Sequence, residues 1–312
     1  MTGKEGNRMK YKSSDSINVQ KHRRNLRPYL MLVPAVFVLL MISVYPVLYG
    51  IYMSMTNKNL LRPGRNDFIF LENFIELGKD QEFLGTLGFT FVYTFSVVIL
   101  SYVLGLGLAL LLNRKIRFRG VFRTLFLLPW VIPSVVAVVN WKWVLNDQVG
   151  IINTVLQDWG IIESPVLFLG DYSLVRITVI LISVWKQMPF MIITLLAGLQ
   201  SVPEDLYEAA EMDGAGFWQT LTGITLPIIK PITFISTILT FLWTFNTFEI
   251  IWLLTGGGPT GYTFTLPILS YYTAFVRQDI SYASAIAVMM IMVLLVISLI
   301  YFRLQFGKEK EE

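Results

Sequence analysis

The sequence contains no cysteine and only one histidine, His22, among its 312 residues. Disulfide bonds and thiolate-bound metals are therefore excluded, and so is a metal site built from several histidines. Charged residues make up only 15% of the chain, whereas hydrophobic residues make up 54%. Because a soluble domain would carry about a quarter charged residues, the apolar excess is expected to face lipid or to be buried in a membrane bundle.

Motifs for nucleotide binding and for catalysis are also missing. The Gly-Lys pairs stand at 3–4, 78–79 and 307–308, and none of them belongs to a G-x-x-x-x-G-K-[ST] loop after a strand. Polar residues inside the apolar stretches are isolated rather than arranged as nucleophile and base. A membrane-bound enzyme therefore lacks its acid, base or metal set, and no cofactor or metal is expected in this chain.

Six apolar stretches are long enough to cross a bilayer, which takes about 20 helical residues. They cover residues 29–53, 86–112, 124–145, 173–198, 231–254 and 283–306. The first is too long for a signal-peptide core and has no small-residue cleavage pattern. The sequence predicts an all-α polytopic membrane protein with six transmembrane helices over 29–306, between tails at 1–28 and 307–312.

Charges in the connectors predict the orientation. Residues 113–123 carry five basic side chains and no acid, whereas residues 146–171 carry four acids and no base. Since Lys and Arg are enriched in cytoplasmic loops, 113–123 and both termini are predicted to be cytoplasmic and 146–171 to lie outside. The tail 1–28 is also rich in Lys and Arg, and membrane lipid headgroups account for that charge without a nucleic acid.

One polar segment, 203–227, lies between two apolar stretches on the side predicted to be cytoplasmic. It holds five carboxylates and no Lys or Arg, although basic residues are expected on that side. Pro203 suits a helix start and Gly214 a helix end, while Gly223 and Pro227 are predicted to end a second short helix. An acidic helix pair displayed there is a candidate for docking on a basic groove of a partner.

The same segment carries a long gapped pattern: Glu208-Ala209-Ala210, three residues, Gly214, nine residues, Ile224, one residue and Leu226-Pro227. In this pattern the chain resembles the membrane subunits of ATP-binding-cassette (ABC) importers. The resemblance implies that the first short helix sits in a cleft of a separate ATPase subunit, which binds the ATP and Mg²⁺. The coupling residues expected from it are Glu208, Ala209, Ala210, Asp213, Gly214, Ile224, Leu226 and Pro227.

Two further stretches, Leu104–Asn146 and Leu253–Phe275, look like the carbohydrate-importing branch, of the maltose, multiple-sugar or glycerol-phosphate type. This likeness implies a second, non-identical permease subunit, two ATPase subunits and an extracytoplasmic binding protein that delivers a sugar or oligosaccharide. It also implies a bacterial or archaeal cytoplasmic membrane. An ion-coupled secondary transporter is the alternative, but it gives no reason for the signature in 203–227.

Candidate substrate contacts lie on the fourth and fifth stretches. Lys186 is near mid-span, where an ionisable group usually faces an aqueous cavity or a partner; the alternative is a lysine that caps backbone carbonyls near Pro189. Four residues of the fifth stretch share one helical face by their spacing, either toward a sugar or toward a packed helix. Together with positions implied by the resemblance, the candidate path is Lys186, Gln187, Phe190, Thr240, Trp243, Thr244 and Thr247.

Two further features leave alternatives open. Glu249 lies in the outer third of the fifth stretch, where it is a candidate partner for Lys186 or for a sister subunit. The run Gly256–Pro259 is either a tight reversal or a place where a binding protein approaches the backbone closely.

Overall fold

The computed structural model describes residues 27–306 except 65 and 115, so predictions for the remainder of the two tails lie outside the described residues. By its internal contacts the chain forms two units, 1–48 and 49–312, and the packing described below belongs to the second. The helices of the described residues, in chain order, are α1 Arg27–Leu39, α2 Tyr45–Ser54, α3 Glu72–Leu77, α4 Gln81–Asn113, α5 Arg119–Val131, α6 Ser134–Val144, α7 Ile151–Asp158, α8 Val175–Gln200, α9 Glu204–Met212, α10 Phe217–Thr220, α11 Leu226–Phe245, α12 Glu249–Thr255, α13 Leu266–Phe275 and α14 Ile280–Phe306. Two π-helical turns, Leu40–Val44 and Leu221–Thr225, join α1 to α2 and α10 to α11.

Within the described part of the chain, five helical stretches are long and apolar enough to cross a membrane, and a bent pair makes a sixth if it counts as one span. The five are Met31–Ser54, Gln81–Asn113, Val175–Gln200, Phe217–Phe245 and Ile280–Gln305. The bent pair is α5 and α6, which meet at an angle of 97°. The predicted all-α, multi-pass membrane class is therefore confirmed.

The span predicted over 124–145 contains a break, which lies at Ile132 and Pro133. Proline has no N–H for the helical ladder, and it pushes the residue before it out of the helical region. Ile132 accordingly has φ −63° and ψ 129°, and α6 starts afresh at Ser134. The third predicted span is thus two short helices at nearly a right angle.

The predicted second short helix of 203–227 does not end at Gly223 or Pro227. Instead α10 continues through the π-helical turn, in which the Leu226 N–H bonds the Leu221 carbonyl, and on into α11. Pro227 stands in the first turn of α11, directly after the π-helical turn. The helix ends at Phe245 rather than near 254, since the Asn246 side chain bonds the Leu242 carbonyl and competes with the ladder.

The core of the second unit forms along α4 and α8, which pack against each other over much of their lengths. Gly105 permits the closest approach: a Cβ there would lie 2.7 Å from the Met191 Cβ. Near the other end of the pair, the buried Tyr93 hydroxyl donates to Ser183 at 2.8 Å. This pair provides the rigid frame on which α5, α9 and α11 are placed.

Candidate functional site

The acidic helix α9 begins and ends at the predicted residues. Pro203 precedes it with ψ 134°, and Glu204 and Asp205 occupy the first turn, where the helix dipole favours negative charge. At the other end Gly214 has φ +74°. The Gly214 N–H bonds the Glu211 carbonyl and the Ala215 N–H bonds the Ala210 carbonyl, which is a Schellman motif.

One face of α9 packs on the chain and the opposite face is exposed. Ala210 is buried, and the Tyr207 hydroxyl lies 3.2 Å from the Thr225 hydroxyl of the π-helical turn. Glu208, Ala209 and Asp213 are exposed. The structure thus separates an anchoring face from a presented, acidic face.

Large apolar side chains border that acidic face. Met212 is 88% exposed and Trp218 is 72% exposed, and Leu206 and Phe217 are exposed as well. A surface that combines carboxylates with exposed Met and Trp side chains is typical of a protein–protein interface.

The remaining residues of the signature serve the anchoring side. Ile224 and Leu226 are half-buried and pack against the apolar cluster that includes Leu199 and Val202. Pro227 is exposed in the first turn of α11. The signature therefore combines residues that present α9 with residues that hold it in place.

A cavity of roughly 700 Å³ lies where the two helix breaks meet. One wall comes from the α5–α6 break, one from α8, and one from the α11–α12 break. The lining includes four of the predicted path residues: Lys186, Gln187, Trp243 and Thr247. Three further lining side chains, Trp130, Asn246 and Phe248, were not predicted as contacts, because only the break geometry turns them into the same space.

Lys186 has a specific structural task at this cavity. Its Nζ donates to the Pro129 carbonyl at 2.8 Å and to the Ile132 carbonyl. The Pro129 carbonyl would ordinarily accept from the residue four positions later, which is Pro133 and has no N–H. Lys186 therefore replaces the donor that Pro133 lacks, so its capping role is found at the α5–α6 break and not at Pro189.

Glu249 lines the same cavity as Lys186 and is exposed. Within the described residues, these two groups do not form an ion pair, and the Lys186 ammonium donates to backbone carbonyls instead. The cavity thus offers one carboxylate, amide and hydroxyl groups, and an ammonium that is already engaged.

Aromatic rings of α5, α8 and α11 meet at the cavity: Trp130 and Trp243 line it, whereas the predicted path residue Phe190 lies beside them and is not part of the lining. The Phe190 ring lies 4.8 Å from the Trp243 ring and 6.4 Å from the Trp130 ring, measured between centroids. Trp243 lines the cavity and is 44% exposed. Such a lining supplies rigid apolar area beside polar groups.

The predicted threonine stripe is divided by the structure. Thr240 and Thr244 are fully buried, and the Thr240 hydroxyl donates to the Ser236 carbonyl at 2.9 Å. Thr247 follows the end of α11, where its hydroxyl bonds the Trp243 carbonyl at 3.0 Å. Of the four residues, Trp243 and Thr247 reach the cavity, whereas Thr240 and Thr244 face the packed interior.

The glycine-rich run after α12 is a chain reversal that side-chain hydrogen bonds hold in place. The Thr255 and Thr263 hydroxyls lie 2.8 Å apart across it. Arg176 donates to the Tyr262 carbonyl at 2.9 Å, and its guanidinium stacks between the Phe89 and Tyr262 rings at 4.2 and 3.7 Å. The turn is therefore held firmly from α8.

Known proteins resemble the chain across most of its length. Residues 101–308 match the family described as "Binding-protein-dependent transport system inner membrane component". The trehalose/maltose transport system permease protein MalF of Thermococcus litoralis is 34% identical over 283 residues, which cover 91% of this chain and 95% of that protein. The trehalose transport system permease protein SugA of Mycobacterium tuberculosis is 33% identical over 277 residues, which cover 88% of this chain and 87% of that protein.

A solved structure shares the fold. The crystal structure of a bacterial ABC transporter involved in the import of the acidic polysaccharide alginate contains a chain with a TM-score of 0.78 and 26% identity. The match covers 90% of this chain and 95% of that one. From the sequence match, the relatives and the shared fold, it follows that the chain belongs to the family of binding-protein-dependent transport system inner membrane components, as a permease subunit of an ABC importer and not an enzyme.

Proposed function

We propose that the chain forms half of the translocation path for a sugar or oligosaccharide, which enters the cavity between the two helix breaks. The observation that carries this proposal is the lining of that cavity. An aromatic wall offers area for the apolar face of a sugar ring, while Gln187, Asn246, Thr247 and Glu249 offer partners for its hydroxyl groups. Relatives named for trehalose, maltose and sulfoquinovosyl glycerol transport support a sugar as the cargo.

A second permease chain is proposed to close the cavity. Trp130 and Trp243 are each exposed over nearly half their surface in this chain, although they stand in the wall of the cavity. A second subunit facing this wall would enclose the two indoles and the bound sugar between the two chains. In the family branch the second chain is expected to be non-identical.

Energy is proposed to come from a pair of separate ATPase subunits that bind α9. Acidic side chains and bare Met and Trp side chains on the presented face suit a cleft with a basic rim and an apolar floor. Closure of the ATPase pair would then move α9, and with it the continuous helix from Phe217 to Phe245. Because that helix ends at the cavity, its movement reaches Trp243, and only the short turn 213–216 separates it from α9.

An extracytoplasmic binding protein is proposed to deliver the cargo to the opposite side. The related alginate importer was solved in complex with a periplasmic protein bound to an alginate pentasaccharide. In our chain the turn at Gly256–Gly261 is held in place by the hydrogen bond from Arg176 to the Tyr262 carbonyl, and it is a candidate docking surface for such a protein.

The orientation that these roles require can be tested with single cysteines, since the chain has none of its own. Asn113 lies at the end of α4 and Asp158 at the exposed end of α7. An impermeant thiol reagent applied to intact cells should label a cysteine at position 158 and spare one at 113. The reverse pattern would contradict the cytoplasmic placement of α9.

The energy source is tested by uptake in whole cells. Sugar uptake should persist when a protonophore collapses the proton gradient and stop when ATP is depleted. Uptake that survives ATP depletion but stops with the protonophore would instead favour the ion-coupled alternative.

A further inference from the structure

A second, narrower slot of roughly 280 Å³ lies between α5 and α8, beyond the cavity toward the start of α5. On α5, Trp130 lines the cavity and Phe126 lines the slot one helical turn earlier. On α8, Ile193 and Ala197 line the slot and are exposed. Because residues three or four apart share a helix face, the slot continues the cavity wall toward the 113–123 loop.

Arg123 and Gln200 line the far end of this slot, and Arg119 joins them through Gln200. With its amide oxygen turned toward them, Gln200 accepts from Arg119 Nη2 at 2.8 Å and from Arg123 Nη2 at 2.8 Å. The Nε atoms of both arginines are buried and have no hydrogen-bond partner. Each guanidinium carries five donors, so one neutral amide oxygen leaves most of them unused.

No carboxylate compensates the two charges from within the described part of the chain. Neither arginine forms an ion pair there, and residues 113–123 contain no acid. Two like charges held side by side and partly buried are unfavourable unless an anion joins them. The geometry therefore calls for an anionic group from outside the described residues, and a neighbouring subunit can supply one.

We propose that Arg119, Arg123 and Gln200 bind a carboxylate side chain of the second permease chain and so close the inner end of the path. The inference rests on the proposed function, in which the second chain faces the cavity wall that this slot continues. A guanidinium fork matches the two oxygens of a carboxylate, which gives directed, charge-assisted hydrogen bonds. The exposed aliphatic side chains of the slot would pack against the helix that carries the acid.

The occupant is identified by cross-linking in the assembled complex. A photo-reactive benzophenone amino acid at position 197 places the probe in the slot without touching the charged cluster. Irradiation of the purified complex in lipid nanodiscs should join it to a peptide of the second permease chain that contains Asp or Glu. Adducts with phospholipid alone would overturn the proposal, because an anionic headgroup would then be the occupant.

Substitutions test the charge. The double variant Arg119→Gln and Arg123→Gln should weaken retention of the second permease chain by at least about 30-fold, the scale for losing a desolvated charge pair. Arg117→Gln is the matched control, because Arg117 is an exposed arginine of the same loop. Equal retention in the double variant and the control would overturn the proposal.

A charge swap separates a lost contact from a misfolded chain. Arg123→Glu should detach the second permease chain. Replacing the acid of the cross-linked peptide with arginine should restore binding of that chain. If binding is not restored although both chains are folded, the proposal is wrong. Subunit composition distinguishes the two levels of inference. A transport-competent complex without any second permease chain would refute the paired path itself. A complex that contains both permease chains but gives no cross-link between them from position 197 would refute only the carboxylate contact.

Discussion

Gly214 offers the sharpest test of how α9 meets the ATPase. Its φ of +74° lies in the left-handed region, where a residue with a Cβ costs about 1–2 kcal/mol. Apart from Gly214 and its two sequence neighbours, no atom of the described residues lies within 4 Å of the place that a Cβ would take. Within the permease, Gly214→Ala should therefore cost about 1 kcal/mol at the end of α9 and nothing from steric contact.

Backbone strain and a close-fitting partner can be separated by choice of side chain. Asn and Asp adopt the left-handed conformation more readily than Ala, so Gly214→Asn and Gly214→Asp relieve most of the strain. If the ATPase fits closely over this turn, both should still lose ATPase binding, and Asp at least as strongly as Ala. The permease itself should insert in the membrane at the parent level in all three variants.

The assay is co-purification of the ATPase, followed by transport in cells, for the three variants and the parent. Loss of both in the Asn and Asp variants supports a contact at Gly214. Parent-like binding by Asn and Asp, with a defect in Ala alone, would show that backbone strain explains the glycine and would refute the contact.

Three further predictions concern side chains that the structure exposes or engages. Glu208→Ala should weaken ATPase retention by less than about 1 kcal/mol, as for an exposed pair, whereas Glu208→Lys should detach the ATPase and be partly rescued by an acid placed in its cleft; equal retention of both variants would contradict this. Trp243→Ala should raise the sugar concentration needed for half-maximal ATPase stimulation about fivefold, or about 1 kcal/mol, while Thr244→Val should leave it unchanged; matched losses in both would count against an aromatic contact. Lys186→Met removes the ammonium donor that replaces the missing Pro133 N–H. Because a hydrogen bond to a charged group contributes about 1.5–3 kcal/mol to stability, the thermal unfolding midpoint of the purified permease should fall. An unchanged midpoint would show that water caps the break equally well.

The sequence predicts the membrane class and the ends of α9 because the signals for both are local. Hydropathy identifies the apolar helices, and Gly214 marks a helix end through its own conformational freedom. The presented face of α9 also follows from sequence, since its carboxylates have no basic neighbour in 203–227.

The two helix breaks are harder to predict, because proline in a membrane helix has several outcomes. Pro189 lies inside the continuous helix α8, whereas Pro133 separates α5 from α6 by 97°. What differs is tertiary: Lys186 of α8 supplies the missing donor at Pro133. The sequence shows the proline, but it does not show that a lysine 57 residues after Pro129 caps the freed carbonyl.

The division of the threonine stripe has the same origin. Spacing at i, i+3, i+4 and i+7 places four residues on one face only while the helix continues. Here α11 ends at Phe245, and Thr240 and Thr244 are buried while Trp243 lines the cavity. Which side of a face is buried depends on the neighbouring helices, and the spacing alone does not contain that information.

Reconstitution of the complete complex tests the central claim most directly. Proteoliposomes would contain this permease, its second permease chain and the ATPase subunits, with ATP enclosed and a sugar-loaded binding protein outside. The account predicts sugar accumulation that requires both ATP and the binding protein, and that disappears with Glu208→Lys while the permease stays in the bilayer. Accumulation driven by a proton or sodium gradient without the ATPase would contradict the account.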